Sequence, residues 1–233
     1  MVLVPGFSQP ASVWSGVVEA LHPSVDATAV DVPDDLDFVG TADAIGTTGG
    51  SAVYVGYSMG GRLVLQLALD RPELVAGVVL VSAAPGIADD EARAARADAD
   101  AGLAADVEHD GVAVFLERWL AQPMFASLSR EQAALDDRVA ATSVARLAHQ
   151  LTALGQGAMP PAWDRLRALA VPVLLVTGAL DAKYGHIAAE MCARNPQFEH
   201  AVLPGGHAVL LEQPTELGER LSRFVHEGAP VAE

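Results

Sequence analysis

The chain has one cysteine, Cys192, so no intramolecular disulfide can form, and the count argues against a cysteine-based metal centre. Basic charge is scarce. Against 30 acidic residues stand 14 basic ones, of which only Lys183 is lysine and the rest are arginine, for a net charge of −16. Such a balance argues against nucleic acid and against anionic membrane surfaces as partners. No apolar run approaches membrane-spanning length, and Met1–Gly6 carries no basic leader region, so the expected location is the cytoplasm with no membrane partner. No G-x-G-x-x-G fingerprint and no P-loop lysine are present, and Asp34, Asp35 and Asp37 read as a polar turn. No cofactor and no metal are therefore expected. With 51% apolar residues over 233 positions, the chain can bury a sizeable core unaided, as one large α/β domain or as a domain carrying an insertion. Nothing in the pattern specifies an oligomeric state.

The most informative stretch that is present is Ala52–Leu65. A β-branched and aromatic run ends at Gly56, Ser58 follows, then Gly60 and Gly61, and an apolar helical pattern begins. Gly56-x-Ser58-x-Gly60 between strand and helix is the nucleophile-elbow pattern. A serine in so tight a turn has a strained backbone, tolerated where its neighbours carry no Cβ. The following helix then directs free N–H groups and its positive end at the hydroxyl. Taken alone, the same letters also describe a glycine-rich turn with a passenger serine.

Around this stretch, strands and helices alternate. Val2–Val4, Ala27–Pro33, Ala52–Val55, Val75–Ala83, Val173–Val176 and Glu199–Leu203 read as strands. Helical spacing recurs over Ser12–Leu21, Phe38–Gly49, the segment from Arg62 to Asp70, Tyr184–Arg194 and Pro214–His226. The near-continuous apolar runs are those of parallel strands covered on both faces, so a doubly wound α/β sheet is expected. From Ile87 to about Ala170 no strand pattern appears, only helical stretches at Asp89–Glu108, Gly111–Gln122 and Ser129 to about Leu154. The expected organisation is a core of residues 1–86 and 171–233 with a helical cap inserted over 87–170.

Asp181 and His207 each follow a late strand, on the rim where open α/β sheets place their ligands. The chain order Ser58, Asp181, His207 is that of a hydrolase triad, in which imidazole takes the serine proton and the carboxylate holds the imidazole tautomer. Individually, Asp181 also fits a helix N-cap and His207 a surface loop, and His186 is an alternative base. The oxyanion donors expected are the backbone N–H groups of Met59, next to the serine, and Phe7, in the loop after the first strand.

Over its whole length the chain resembles the α/β-hydrolase superfamily. More narrowly it resembles the 2-succinyl-6-hydroxy-2,4-cyclohexadiene-1-carboxylate synthases, the MenH-type lyases of menaquinone biosynthesis. The match lies in Gly56–Arg62, Trp119–Leu128, Gly178–Tyr184, Pro204–Ala208 and Leu211–Pro214. The resemblance implies an α/β-hydrolase fold, a mostly parallel sheet with helices on both faces and an inserted helical cap. It implies elimination of pyruvate from 2-succinyl-5-enolpyruvyl-6-hydroxy-3-cyclohexene-1-carboxylate, without an acyl-enzyme and with Ser58 as proton acceptor. A small, carboxylated substrate calls for guanidinium groups. Arg62 stands one turn past the serine, Arg96 matches the family's cap arginine with Arg93 as its rival, and Arg138 is the third candidate; Tyr57 and Trp119 would line the pocket. Two departures concern the pocket edge: Pro5-Gly6-Phe7 replaces the usual His-Gly pair, and Asp31–Leu36 replaces the common Asp-x-Pro-Gly-His-Gly loop. The alternatives are a serine hydrolase for an ester, lactone or carbon–carbon bond, and a catalytically silent binding protein on the same fold.

Overall fold

A computed structural model describes residues 1–228. Six strands form one parallel sheet: β1 (Val2–Val4), β2 (Thr28–Ala29), β3 (Ala52–Tyr57), β4 (Val75–Val81), β5 (Val173–Gly178) and β6 (Glu199–Leu203), in the order β2-β1-β3-β4-β5-β6. The chain starts one strand in from an edge, steps out to β2, returns to β3 and proceeds to the other edge. The reversal of direction leaves β1 and β3 as neighbours, the arrangement that opens a crevice at the carboxyl ends of the strands. Registers Val4↔Gly56, Gly56↔Leu80 and Leu80↔Leu175 align the C-terminal ends of β1, β3, β4 and β5, so their loops emerge on one edge.

The helices are α1 (Ser15–Glu19), α2 (Phe38–Gly49), α3 (Met59–Asp70), α4 (Asp90–Leu120), α5 (Arg130–Ala133), α6 (Leu135–Ala140), α7 (Val144–Thr152), α8 (Ala182–Arg194), α9 (Val209–Glu212) and α10 (Pro214–Gly228). Because successive residues of a buried strand point to opposite faces, each face needs its own cover. On one face Phe38 and Ile45 of α2, Leu63 and Leu67 of α3, and Ala188 and Met191 of α8 pack with Tyr54, Val78, Leu80 and Leu175. On the other, Trp14 and Val17 meet Leu217, Leu221 and Phe224 of α10 over Leu3, Val55, Val79 and Leu174.

Between β4 and β5 the described chain forms helices and no strand. Val107, Phe115 and Leu116 of α4 pack with Leu147 and Leu151 of α7 in a third, separate cluster. The split expected at Gly111 is a break inside α4: this residue has φ 79° and ψ 169°, a conformation open essentially to glycine alone. The stretch after Ser129 is three short helices, interrupted at Ala134 in the left-handed region (φ 48°). The end of the expected insertion packs with the core, since Leu154, Met159, Ala162, Leu166 and Leu169 join the α2–α3 cluster before the sheet resumes at Val173. Two bonds close the neck of the segment, from Ala162 N–H to the Pro85 carbonyl (2.8 Å) and from Trp163 Nε1–H to the Gly86 carbonyl (2.9 Å). The second strand is shorter than its apolar run suggested, two residues at an edge of the sheet where only β1 is available to pair. No helix among the described residues is long and apolar enough to cross a membrane.

Candidate active site

Ser58 occupies the turn between β3 and α3 with φ 51° and ψ −105°, an unfavourable backbone for a residue with a Cβ. What holds it there is packing around its glycines. A Cβ on Gly56 would enter the backbone of Gly60 and Gly61, and one on Gly60 would enter the carbonyls of Val4 and Pro5. The Ser58 N–H is tied to the Val81 carbonyl (2.8 Å), which registers the turn against β4.

Asp181 follows β5 through Ala179 and Leu180, whose N–H groups donate to the carbonyls of Leu203 and Gly205 (2.8 Å each). Both readings of this residue hold at once. One carboxylate oxygen caps α8, accepting the Tyr184 N–H (3.3 Å), and the other accepts from His207 Nδ1 (2.7 Å). A carboxylate on Nδ1 fixes the proton there and leaves the Nε2 lone pair for Ser58, whose Oγ lies 3.1 Å away.

His207 is 1% exposed. Its loop is held from behind by Glu212, whose two carboxylate oxygens accept the Gly206 N–H (2.9 Å each), giving the Leu-Glu-Gln-Pro sequence a structural task. Aromatic rings wall the imidazole, with centroids of Tyr184 at 4.6 Å, Tyr57 at 5.5 Å and Phe125 at 5.9 Å. His186, the alternative base, is exposed on α8.

Ser58 opens into a cavity of about 180 Å³ between the sheet edge and the helices that follow β4. Phe7, Met59, Arg62, Arg96 and Trp119 line it, so five of the expected residues share one wall system with the serine. Met59 is the first residue of α3, and its N–H has no helical partner by geometry. Phe7 lies under Trp119 (centroids 4.7 Å) and edge-on to Phe115 (6.3 Å), which anchors the β1 loop to the α4 cluster.

Arg62 is 7% exposed and donates through Nη1 to the Leu154 carbonyl (2.8 Å). Burial pulls its guanidinium down to about 10, partly offset by Tyr184, which leaves it charged at neutral pH. Arg96 donates through Nε to the buried Asp100 (2.7 Å) and through Nη1 to Gln156 (3.3 Å). Of the rivals, Arg96 and not Arg93 reaches the cavity. Arg93 instead bonds the Ile87 carbonyl (3.1 Å) and Asp90 (2.5 Å) at the neck.

Two residues expected on the pocket wall stand elsewhere. Tyr57 points along the face of the sheet behind His207, where a Cβ on Gly6 would touch its ring, and it is not part of the cavity lining. The period-2 alternation of β3 puts Tyr57 one step short of the elbow and into the core, and burial raises its hydroxyl. Arg138 is buried outside the cavity. The turn at Ala134 swings α6 so that Nη1 donates to Ser8 Oγ (3.1 Å) and Nε to the Ala133 carbonyl (2.8 Å).

Sequence reasoning passed over Gln150, Asp100, Gln156 and Tyr184, all on the cavity wall. Tyr184 had a signal, standing three residues after Asp181 and so on the same helical face. Gln150 had another: it shares the buried stripe of α7 with Leu147 and Leu151, where a polar residue is out of place. Among the described residues no three His, Cys, Asp or Glu side chains converge in the manner of metal ligands.

A strained serine on a strand-to-helix turn, bonded in series to histidine and aspartate from later strand ends of a parallel sheet, defines a class. The family model of the alpha/beta hydrolases matches residues 1–220, and the chain belongs to that family. Within it, the chain is 28% identical over 239 residues to the 2-succinyl-6-hydroxy-2,4-cyclohexadiene-1-carboxylate synthase of Salmonella newport, covering 97% of this chain and 93% of that one. A Bacillus subtilis relative assigned the same name is 35% identical over 176 residues, 73% of this chain; the match spans 64% of that relative's length. Among solved structures, MenH from S. aureus superposes with a TM-score of 0.88 at 24% identity, over 97% of this chain and 94% of that one.

Proposed function

We propose that this protein is a lyase that eliminates pyruvate from 2-succinyl-5-enolpyruvyl-6-hydroxy-3-cyclohexene-1-carboxylate to give 2-succinyl-6-hydroxy-2,4-cyclohexadiene-1-carboxylate. The observation that carries the reading is the company Ser58 keeps. In a chain of net charge −16, the histidine-bonded serine shares its cavity with Arg62 and Arg96. Arg96 already has Asp100 as an anionic partner, whereas Arg62, buried with a carbonyl as its hydrogen-bond partner, is costly to take out of water unless an anion repays it. A substrate with several carboxylates does so, and relatives along nearly the full chain carry the name of this activity.

In this reading Ser58, His207 and Asp181 act as one proton-transfer unit. His207 Nε2 takes the Ser58 proton as Ser58 Oγ accepts a proton from a ring carbon. The C2–H electron pair forms the C2=C3 double bond, the C3=C4 pair moves to C4=C5, the bond from C5 to the enolpyruvyl oxygen breaks, and the departing enol oxygen takes the proton held on His207. Enolpyruvate then tautomerises to pyruvate. Asp181 keeps its charge throughout and stabilises the imidazolium. The N–H groups of Phe7 and Met59 face the charge that develops on the substrate. Arg62 and Arg96 hold carboxylates, and Trp119 closes the apolar side. The helices of 90–152 are the cap, a smaller unit than the 87–170 expected from the sequence, and the rest of the chain is the core. The reaction requires no cofactor, no metal, no nucleic acid and no membrane, and its place is the cytoplasm.

The serine hydrolase reading is favoured by one feature, the 3.1 Å contact between Ser58 Oγ and His207 Nε2 beside two backbone donors, which suits acyl transfer equally well. The decisive experiment supplies the enolpyruvyl substrate and measures pyruvate. Release at an enzymatic rate is expected; turnover of p-nitrophenyl esters with no pyruvate formed would replace the lyase by the hydrolase, and neither activity would leave only the binding protein.

A further inference from the structure

Gln150 is the most unusual polar side chain on the cavity wall. It is 1% exposed, sits among the apolar residues of α7, and contributes to the same lining as Ser58, Arg62 and Arg96. Its Oε1 accepts the N–H of Ser8 (2.9 Å), whereas its Nε2 is buried with no hydrogen-bond partner. The orientation of the amide is not arbitrary. Ser8 N–H can only donate, so the oxygen must face it, and the NH₂ group is left facing away. Leaving two buried N–H donors unpaired costs about 1–3 kcal/mol.

The surroundings show how firmly this amide is aimed. Ser8 directly follows Phe7, the oxyanion-loop residue, and has φ 62°. Its N–H is held by Gln150 and its Oγ by Arg138 Nη1 (3.1 Å), so two side chains from α6 and α7 pin a strained residue next to the oxyanion donor. Gln150 is therefore braced on one side by the β1 loop, while its buried NH₂, on the residue's other side, has no hydrogen-bond partner.

We propose that Gln150 is a substrate-binding residue, whose side-chain NH₂ donates to a carboxylate oxygen of the ligand bound beside Ser58, on the β1-loop side of the cavity. It complements Arg62 and Arg96 with a neutral, directional donor that links ligand binding to the position of the Phe7 N–H. This rests on the reading that the cavity takes a carboxylated molecule, and not on the fate of that molecule after binding.

Succinate, a small dicarboxylate, serves as the probe, and the readout is how far it slows labelling of Ser58 by a fluorophosphonate in the full chain. Each variant is compared with itself, labelled with and without succinate. Gln150→Glu separates the two roles, because a carboxylate still accepts the Ser8 N–H but offers the ligand no donor and a like charge. We expect the succinate concentration for half-protection to rise about 10- to 100-fold in this variant, the range for a hydrogen bond to a charged group. A role confined to holding Ser8 predicts protection equal to that of the unsubstituted protein, and that result overturns the proposal while leaving the carboxylate reading intact. Failure of succinate to protect the unsubstituted protein overturns the carboxylate reading and Gln150 with it. Should Gln150→Glu not fold, as judged by circular dichroism, the similarly shaped Gln150→Met removes the donor together with the Ser8 acceptor. Undiminished protection in that variant removes Gln150 from the binding site.

Discussion

At the C-terminal edge of the sheet, position is settled mainly by backbone contacts; in the helices of 90–152 it is settled mainly by side chains. Ser58 is locked because Gly56 and Gly60 lie against other main-chain atoms, and its N–H is tied to β4. Arg96 is held by its bonds to Asp100 and Gln156, on a helix that lies against Gly157 at the Ala97 backbone, is broken at Gly111 and is covered by a small core of its own. Main-chain packing tolerates almost no displacement, whereas a helix resting on a few apolar side chains can shift at modest cost. In the proposed reading, the sheet edge carries the proton transfer, and recognition is shared between Arg62 beside the elbow and the helical layer. Phe7, tilted against Trp119 and edge-on to Phe115, joins the two.

The sharpest test of the sheet side is Ser58→Ala. Pyruvate release should fall by about 10⁴-fold or more, since triad members act as a unit, with thermal stability little changed because alanine keeps the Cβ and the strained backbone. Turnover unchanged in this variant sinks the triad assignment.

Next in size are paired core truncations. Leu80→Ala, in the core under the sheet, and Leu116→Ala, in the α4–α7 cluster, should each cost about 2–5 kcal/mol, but in different ways. Loss of Leu80 should lower the midpoint of the whole urea transition. Loss of Leu116 should raise amide exchange over 90–152 while β3 and β4 stay protected. Equal loss of protection everywhere in both variants would mean that the two regions unfold as one, breaking the comparison.

Arg96→Ala comes third. An expected rise of about 10- to 100-fold in KM for the carboxylated substrate, with a smaller change for a neutral p-nitrophenyl ester, would mark it as an anion holder. Equal losses on both substrates would instead mean that the arginine merely supports α4 through Asp100.

The smallest effect belongs to Gly111→Ala. No atom lies close enough to clash with an added Cβ, so only the backbone conformation resists, at about 1–3 kcal/mol. Differential exchange should confine the damage to α4 and leave fluorophosphonate labelling of Ser58 in place.

Legibility followed the same divide. The elbow, the sheet and the order Ser58, Asp181, His207 could be read because each rests on a local rule: glycines where a Cβ is forbidden, apolar runs for strands covered twice, and loops at strand ends. Strand β6 was found with its observed limits at Glu199 and Leu203. The helical layer resisted because its joints depend on an unusual backbone at Ala134, which carries no sequence signal, and Arg138 consequently faces Ser8 where a ligand contact had been expected. Tyr57 was misplaced for a simpler reason: neighbouring an exposed serine in sequence says nothing of which side of the strand a ring takes.

The sequence by itself determined the fold class, the activated serine with its two partners and the presence of arginines suited to an anionic ligand. Those follow from periodicity, glycine sterics and charge, which act over a few residues. Only the tertiary structure decided that Arg96 enters the cavity while Arg93 and Arg138 do not, and that Gln150 stands there with an unpaired amide. Such choices depend on how separate helices meet the sheet edge, and contacts between residues as distant as Ser8 and Gln150 leave no mark on local pattern.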